Sequence, residues 1–132
     1  PEIRSVSLDN IFETSDFISV HVHLSKETTG LIDEKLFLKI KPGSIFINTS
    51  RGAVIDEQAL LEALKCDRLA GAGLDVLQGE PDIENHPLVE YARRERNLLI
   101  TPHCAGYSYD AVRIVCQKAT EKVIKYFRGN QS

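Results

Sequence analysis

Apolar positions along this chain alternate between two patterns. Short β-branched or aliphatic runs occupy residues 17–22, 44–48, 69–76 and 98–101, the second directly after the breaker Pro42-Gly43. These runs are almost continuously apolar, which predicts strands covered on both faces, the habit of a parallel sheet. Between them the spacing becomes helical. Asp33 can cap a segment in which Leu36, Phe37 and Ile40 share a face, and Asp56 one carrying Ala59, Leu60, Ala63 and Leu64. Leu8, Ile11 and Phe12 after Ser7 predict a helical turn or two before the first strand. Residues 78–97, with Gly79-Glu80-Pro81, His86-Pro87 and many charges, read mainly as loop.

The C-terminal pattern is the longest. Ser108 or Asp110 can cap a helix whose Val112, Val115, Cys116, Ala119, Val123 and Phe127 form one stripe, with Gly129 as its stop. The runs end at Val22, Asn48 and Val76, about 26 to 28 residues apart, close to the roughly 30 residues of a βαβ unit. The expected fold is therefore α/β, a doubly wound parallel sheet closed by a long C-terminal helix.

Composition narrows the function classes. With 132 residues, 42% hydrophobic and 27% charged, the chain suits one globular core and not a disordered, collagen-like or coiled-coil protein. Sixteen basic against 19 acidic residues leave a net charge of -3, so no positive field favours nucleic acid. The basic clusters at 93–96 and 118–125 are interrupted by Glu95 and Glu121 and read as solvated helix surface. No apolar run is long enough for a bilayer, and the first residues lack a signal-peptide core, so a soluble cytoplasmic protein without membrane partners is expected. Cys66, Cys104 and Cys116 are widely spaced and form no Cys-x-x-Cys, which points to reduced thiols.

In open α/β sheets ligands bind beyond the carboxyl ends of the strands, so the residues after each run carry the chemistry. These are His21, His23 and Ser25; Asn48-Thr49-Ser50-Arg51-Gly52; Asp75 with Glu80; and Thr101-Pro102-His103-Cys104-Ala105-Gly106. An arginine can hold a carboxylate bidentately while polarising an adjacent carbonyl, and a histidine exchanges a proton near neutral pH. A glutamate against that histidine stabilises the imidazolium. Arg51, Glu80 and His103 thus form a set suited to a 2-keto or 2-hydroxy acid. By type alone Arg51 equally suits a surface salt bridge and Glu80 a plain loop carboxylate. Asp75, inside an apolar run, needs partners. His21 and His23 suit strand-end packing or solvent contact, and His86 the surface. Metal binding by Asp75, Glu80 and His103 lacks any His-x-x-x-His or cysteine pair, so no metal site is expected. Cys104 lacks a nucleophile motif.

Taken together, residues 16–24, 41–52, 72–76 with Glu80-Pro81, and 101–106 closely resemble the D-isomer-specific 2-hydroxyacid dehydrogenases, in order and over nearly the whole chain. The resemblance implies NAD as cofactor, a partial Rossmann-type sheet (the nicotinamide half), Arg51 as substrate-binding residue, His103 as proton donor or acceptor and Glu80 as its partner. It also implies that Val22, His23, Thr28, Thr49, Ser50, Arg51, Asp75, His103, Ala105 and Gly106 line the nicotinamide side. His23 stands where the family usually has proline. Glu80 argues against a formate dehydrogenase, which carries an amide there.

No Gly-x-Gly-x-x-Gly opens a helix; the near miss, Gly71-x-Gly73-x-x-Val76, lies within a strand run. The expectation is therefore a C-terminal portion of such an enzyme, inactive as an isolated chain. Residues 1–106 would belong to the NAD-binding domain and 107–132 form a helix packing on a substrate domain. The resemblance implies a small-molecule 2-keto or 2-hydroxy acid as partner and a homodimer. An NAD-sensing corepressor of the same superfamily is the alternative, although such proteins favour a Trp where Gly106-Tyr107 stands.

Overall fold

A computed structural model describes residues 3–129, which form two compact units divided between Pro102 and His103. In the first unit the order is α1 (Leu8–Thr14), β1 (Phe17–Val20), α2 (Glu34–Lys39), β2 (Ser44–Asn48), a single 3-10 turn (Gly52–Val54), α3 (Glu57–Lys65), β3 (Leu69–Leu74), α4 (Pro87–Ala92) and β4 (Leu98–Ile100). Ser7, Asp33 and Asp56 cap α1, α2 and α3 by accepting the backbone N–H groups of Asn10, Leu36 and Ala59, each such cap being worth about 1 kcal/mol.

All four strands are parallel and lie in the order β1-β2-β3-β4. Their last residues align in one row, Val20 opposite Asn48, Asn48 opposite Leu74 and Leu74 opposite Ile100. The chain therefore leaves every strand along the same edge. The runs are shorter than their apolar content predicts: β1 ends at Val20, β3 at Leu74 and β4 at Ile100, because Val22, Val76 and Thr101 belong to the exit loops.

Burial on both faces is not observed. Ile18, Val20, Phe46, Ala72, Leu74 and Leu98 are buried, whereas Phe17 and Leu99 are 70% and 67% exposed and Ile45, Ile47, Gly71 and Gly73 are half-buried. Each crossover steps to the next strand in the same direction. Right-handed crossovers of that kind put their helices on one face, and the helices touch in sequence, α1 on α2, α2 on α3 and α3 on α4.

The core lies between that helical layer and the sheet. Phe12, Phe37 and Phe46 pack there with centroids 5.2 to 6.4 Å apart. Burying each contributes about 1.5–3 kcal/mol. Leu60, Leu64, Leu69 and Val54 extend the cluster toward β3.

Residues 78–97 are mainly loop, as expected, but they carry one short helix. His86 and Pro87 open α4, whose Leu88 is buried. Proline at the first helical position loses no hydrogen bond and has its φ preset, so the His-Pro pair is a helix start.

In the second unit, Ser108 Oγ accepts the Ala111 N–H at 3.1 Å and α5 runs over Tyr109–Gly129. Gly129 is the last described residue; 130–132 lie outside the described residues. The stripe Val112, Val115, Cys116, Ala119, Val123 and Phe127 is exposed. Among the described residues no helix is long and apolar enough to cross a membrane, and the three cysteines are exposed thiols.

Candidate active site

The exit loops of the first unit are tied to one another by buried polar groups. Asn48, fully buried at the end of β2, accepts the Ser50 N–H at 2.9 Å and donates its amide to the Arg51 carbonyl at 3.0 Å. This side chain turns the backbone through Thr49 and Ser50. Ser50 in turn donates its hydroxyl to the Val22 carbonyl, joining the β2 exit to the β1 exit. Arg51 is exposed, with Nη1 donating to the Ser50 carbonyl at 2.6 Å. Within the β1 exit loop, Thr28 Oγ1 donates to the His23 carbonyl at 2.6 Å and accepts the Ser25 N–H at 2.8 Å.

Asp75 follows β3 and is only 4% exposed. Its N–H donates to the Asn48 carbonyl at 3.0 Å and its Oδ1 accepts the Thr101 hydroxyl at 2.5 Å. A carboxylate at such a position requires this kind of charge-assisted bond. Thr101, which supplies it, stands among the exit residues of the fourth run, but its residue type alone assigned it no role.

Glu80 is exposed and turns back so that Oε1 accepts the Leu77 N–H at 2.7 Å. The neighbouring Gln78 N–H goes to Glu57 Oε1 at 2.8 Å, and Glu57 Oε2 pairs with His86 Nε2 at 3.0 Å. His86 is therefore not a plain surface residue; its side chain is 14% exposed and that of Glu57 9%. Burial pushes the Glu57 carboxyl above its ordinary range, against the Gln78 N–H and His86, which pull it down, while the charge of Glu80 adds to the rise. Nothing in the residue pattern marks Glu57 beyond a favourable acid in the first turn of α3.

His103, Ala105 and Gly106 belong to the second unit and are exposed. His103 adopts φ 53°. A non-glycine residue in this region costs on the order of 1–3 kcal/mol and is typically held there at functional sites. Asp67, at φ 55°, is the ordinary counterpart: it follows the C-cap of α3, a common place for a left-handed residue. Beyond His103, the Tyr107 N–H closes a turn on the Cys104 carbonyl at 2.9 Å. Of the anticipated site residues, the first unit thus joins Val22 to Ser50, Thr28 to His23, and Arg51 through Asn48 to Asp75. Among the described residues no group of three or more metal-binding side chains is arranged to hold an ion.

Residues 1–105 match the family model described as D-isomer specific 2-hydroxyacid dehydrogenase, NAD binding domain. A glyoxylate reductase of Thermofilum pendens is 39% identical over 129 residues, covering 98% of this chain and 37% of that protein. The D-isomer specific 2-hydroxyacid dehydrogenase of Lactobacillus delbrueckii ssp. bulgaricus, solved in its NAD complexed form, superposes with TM-score 0.81 at 30% identity over 94% of this chain and 40% of that one. An acyclic imino acid reductase, Bsp5, solved with NADPH and D-Arg, gives 0.84 at 35% identity over 96% and 39%. The chain thus spans about two fifths of the length of these relatives.

Proposed function

As a member of the D-isomer specific 2-hydroxyacid dehydrogenase family, to which it belongs through that family's NAD binding domain, this chain, we propose, serves an oxidoreductase that moves a hydride between NAD(H) and a D-2-hydroxy acid or 2-keto acid. The observation that carries this reading is the row of aligned strand ends from which Val22, Ser50, Arg51 and Asp75 emerge, cross-braced by Ser50 and Asn48. A parallel sheet binds ligands at this edge.

The donor set fits the nicotinamide end of the cofactor. The Asp75 carboxylate at a strand end is an acceptor suited to a carboxamide N–H, with the Val22, His23, Thr28 and Thr49–Arg51 segments as the lining contributed by the first unit; the resemblance assigns His103, Ala105 and Gly106 to the same cofactor. NAD supplies the hydride. Arg51 holds the substrate carboxylate and polarises the adjacent carbonyl, its planar fork matching both oxygens. As the carbonyl carbon gains hydride, its oxygen gains a proton from His103, and Glu80 stabilises the imidazolium before transfer. The reverse direction returns the proton to His103. The Gly-x-Gly-x-x-Gly loop that grips the pyrophosphate is not among these 132 residues, so turnover requires a chain that supplies it. By the resemblance, that protein is a cytoplasmic homodimer in which α5 packs on the substrate domain.

The test is NADH oxidation with glyoxylate, pyruvate and hydroxypyruvate by a protein carrying this chain together with a phosphate-binding loop. His103→Asn is expected to lower kcat by about 100-fold or more. Arg51→Lys is expected to raise KM by about 10-fold or more, since bidentate contact is lost. Capture of short peptides with no turnover on any keto acid points instead to a corepressor-like binder, and robust reduction by the 132-residue chain alone overturns the requirement for the loop.

A further inference from the structure

We propose that Glu57 is a positioning residue whose single carboxylate closes the loop 78–86 and so sets the place of Glu80. The inference rests on the reading of Glu80 as the partner of the proton-transferring histidine.

Both ends of this loop are tied to the same side chain. At its start the Gln78 N–H donates to Glu57 Oε1 at 2.8 Å; at its end His86 Nε2 meets Glu57 Oε2 at 3.0 Å. The direction of the second bond follows from the first turn of α4. His86 Nδ1 accepts the Leu88 N–H at 3.2 Å, so the ring proton sits on Nε2 and donates to Glu57. The Gln78 side chain adds a third tie, donating to the Ile55 carbonyl at 3.0 Å.

Glu80 stands two residues past the first tie, and its carboxylate takes the Leu77 N–H at 2.7 Å. Two adjacent backbone donors, Leu77 and Gln78, are thus shared between two glutamates, one exposed and one buried. Where the Gln78 peptide lies, the Leu77 peptide must follow, and with it the Glu80 oxygen that it holds. A carboxylate is suited to this because it accepts at both oxygens; a glutamine accepts at only one. Glu57 touches no reacting atom in this scheme and acts through the loop.

Two variants separate this role from mere support of the fold. Glu57→Gln leaves one acceptor for two donors. His86→Asn keeps a side chain that caps α4 but is too short to reach Glu57. In the 132-residue chain, NMR is expected to show amide exchange at Leu77 and Gln78 faster by about 10-fold or more in Glu57→Gln. The nuclear Overhauser contact between the Leu77 amide and the Glu80 side chain should weaken in both variants, while amides of Phe46 and Ala72 keep their protection. An unchanged Leu77–Glu80 contact in a folded variant overturns the proposal, and His86→Asn alone decides the matter should Glu57→Gln fail to fold. In the dehydrogenase assay Glu57→Gln is expected to lower kcat and displace the pH profile with KM little changed. A weakened Leu77–Glu80 contact without keto acid turnover in the parent protein sinks the functional reading and leaves the positioning role standing.

Discussion

Gly52 lies against the backbone of Leu77: a Cβ at Gly52 would stand 2.3 Å from the Leu77 carbonyl carbon and 2.3 Å from the Gln78 nitrogen. The exit loops of β2 and β3 therefore touch main chain to main chain, immediately after Arg51 and three residues before Glu80. No flexible side chain can yield there. Gly52→Ala is expected to destabilise the chain by about 2–4 kcal/mol, measured by urea denaturation, and to lower activity of the dehydrogenase by shifting both loops. A variant of parent stability contradicts the close approach.

Thr101 is the hydroxyl donor to buried Asp75. Thr101→Val keeps the shape and removes the donor, so it is expected to cost about 1–3 kcal/mol, the penalty for a buried acceptor losing a partner. Thr101→Ser retains the hydroxyl and should recover most of the loss. Equal stabilities for the valine and serine variants would show that the bond contributes nothing.

Asn48 serves Ser50 and Arg51 at once. Asn48→Ala orphans a buried N–H and frees the carbonyl that fixes Arg51, with an expected cost of about 1–3 kcal/mol. In the proposed dehydrogenase the larger sign is kinetic: KM for the keto acid rises because Arg51 is no longer held, and the Kd for NADH weakens through Ser50 and Val22. A change in kcat alone would contradict this.

The Glu57 carboxyl is raised in the folded chain, chiefly by burial. Its protonated form therefore favours the fold: the contribution is full below the unfolded carboxylate value and is lost as pH climbs through the higher folded one. Glu57→Gln removes this term. The stability of the parent relative to the glutamine variant should decline with rising pH in that acidic window and level off above it. Denaturant titrations at several pH values read the difference, and one that is flat or rising through the window would falsify the burial argument.

Much of the fold was legible along the chain because caps and apolar spacing act over a few residues. Ser7, Asp33 and Asp56 cap the helices their spacing predicts, and the breaker Pro42-Gly43 precedes β2 as expected. The α4 helix escaped because its signal is a single His-Pro pair among charges, and His86 looked superficial because its partner lies 29 residues away. The exit residues Arg51 and Asp75 could be chosen from strand order alone. Gly52 and Thr101 could be placed at that edge but not given their roles, and Glu57 could not be chosen at all, since what defines each is a neighbour from another element.

Local pattern by itself determined most of the element types, the parallel rhythm and the residue types at the ligand-binding edge, because propensity, capping and hydrophobic period are properties of adjacent residues. Tertiary structure alone decided that the helices of the first unit gather on one face of its sheet. It also brought Gly52 against Leu77 and shared one buried carboxylate between Gln78 and His86. Each of these depends on which crossovers run side by side in space, and hydrogen bonds and steric contacts across 21 to 29 residues of sequence have no signature in the spacing of the residues that make them.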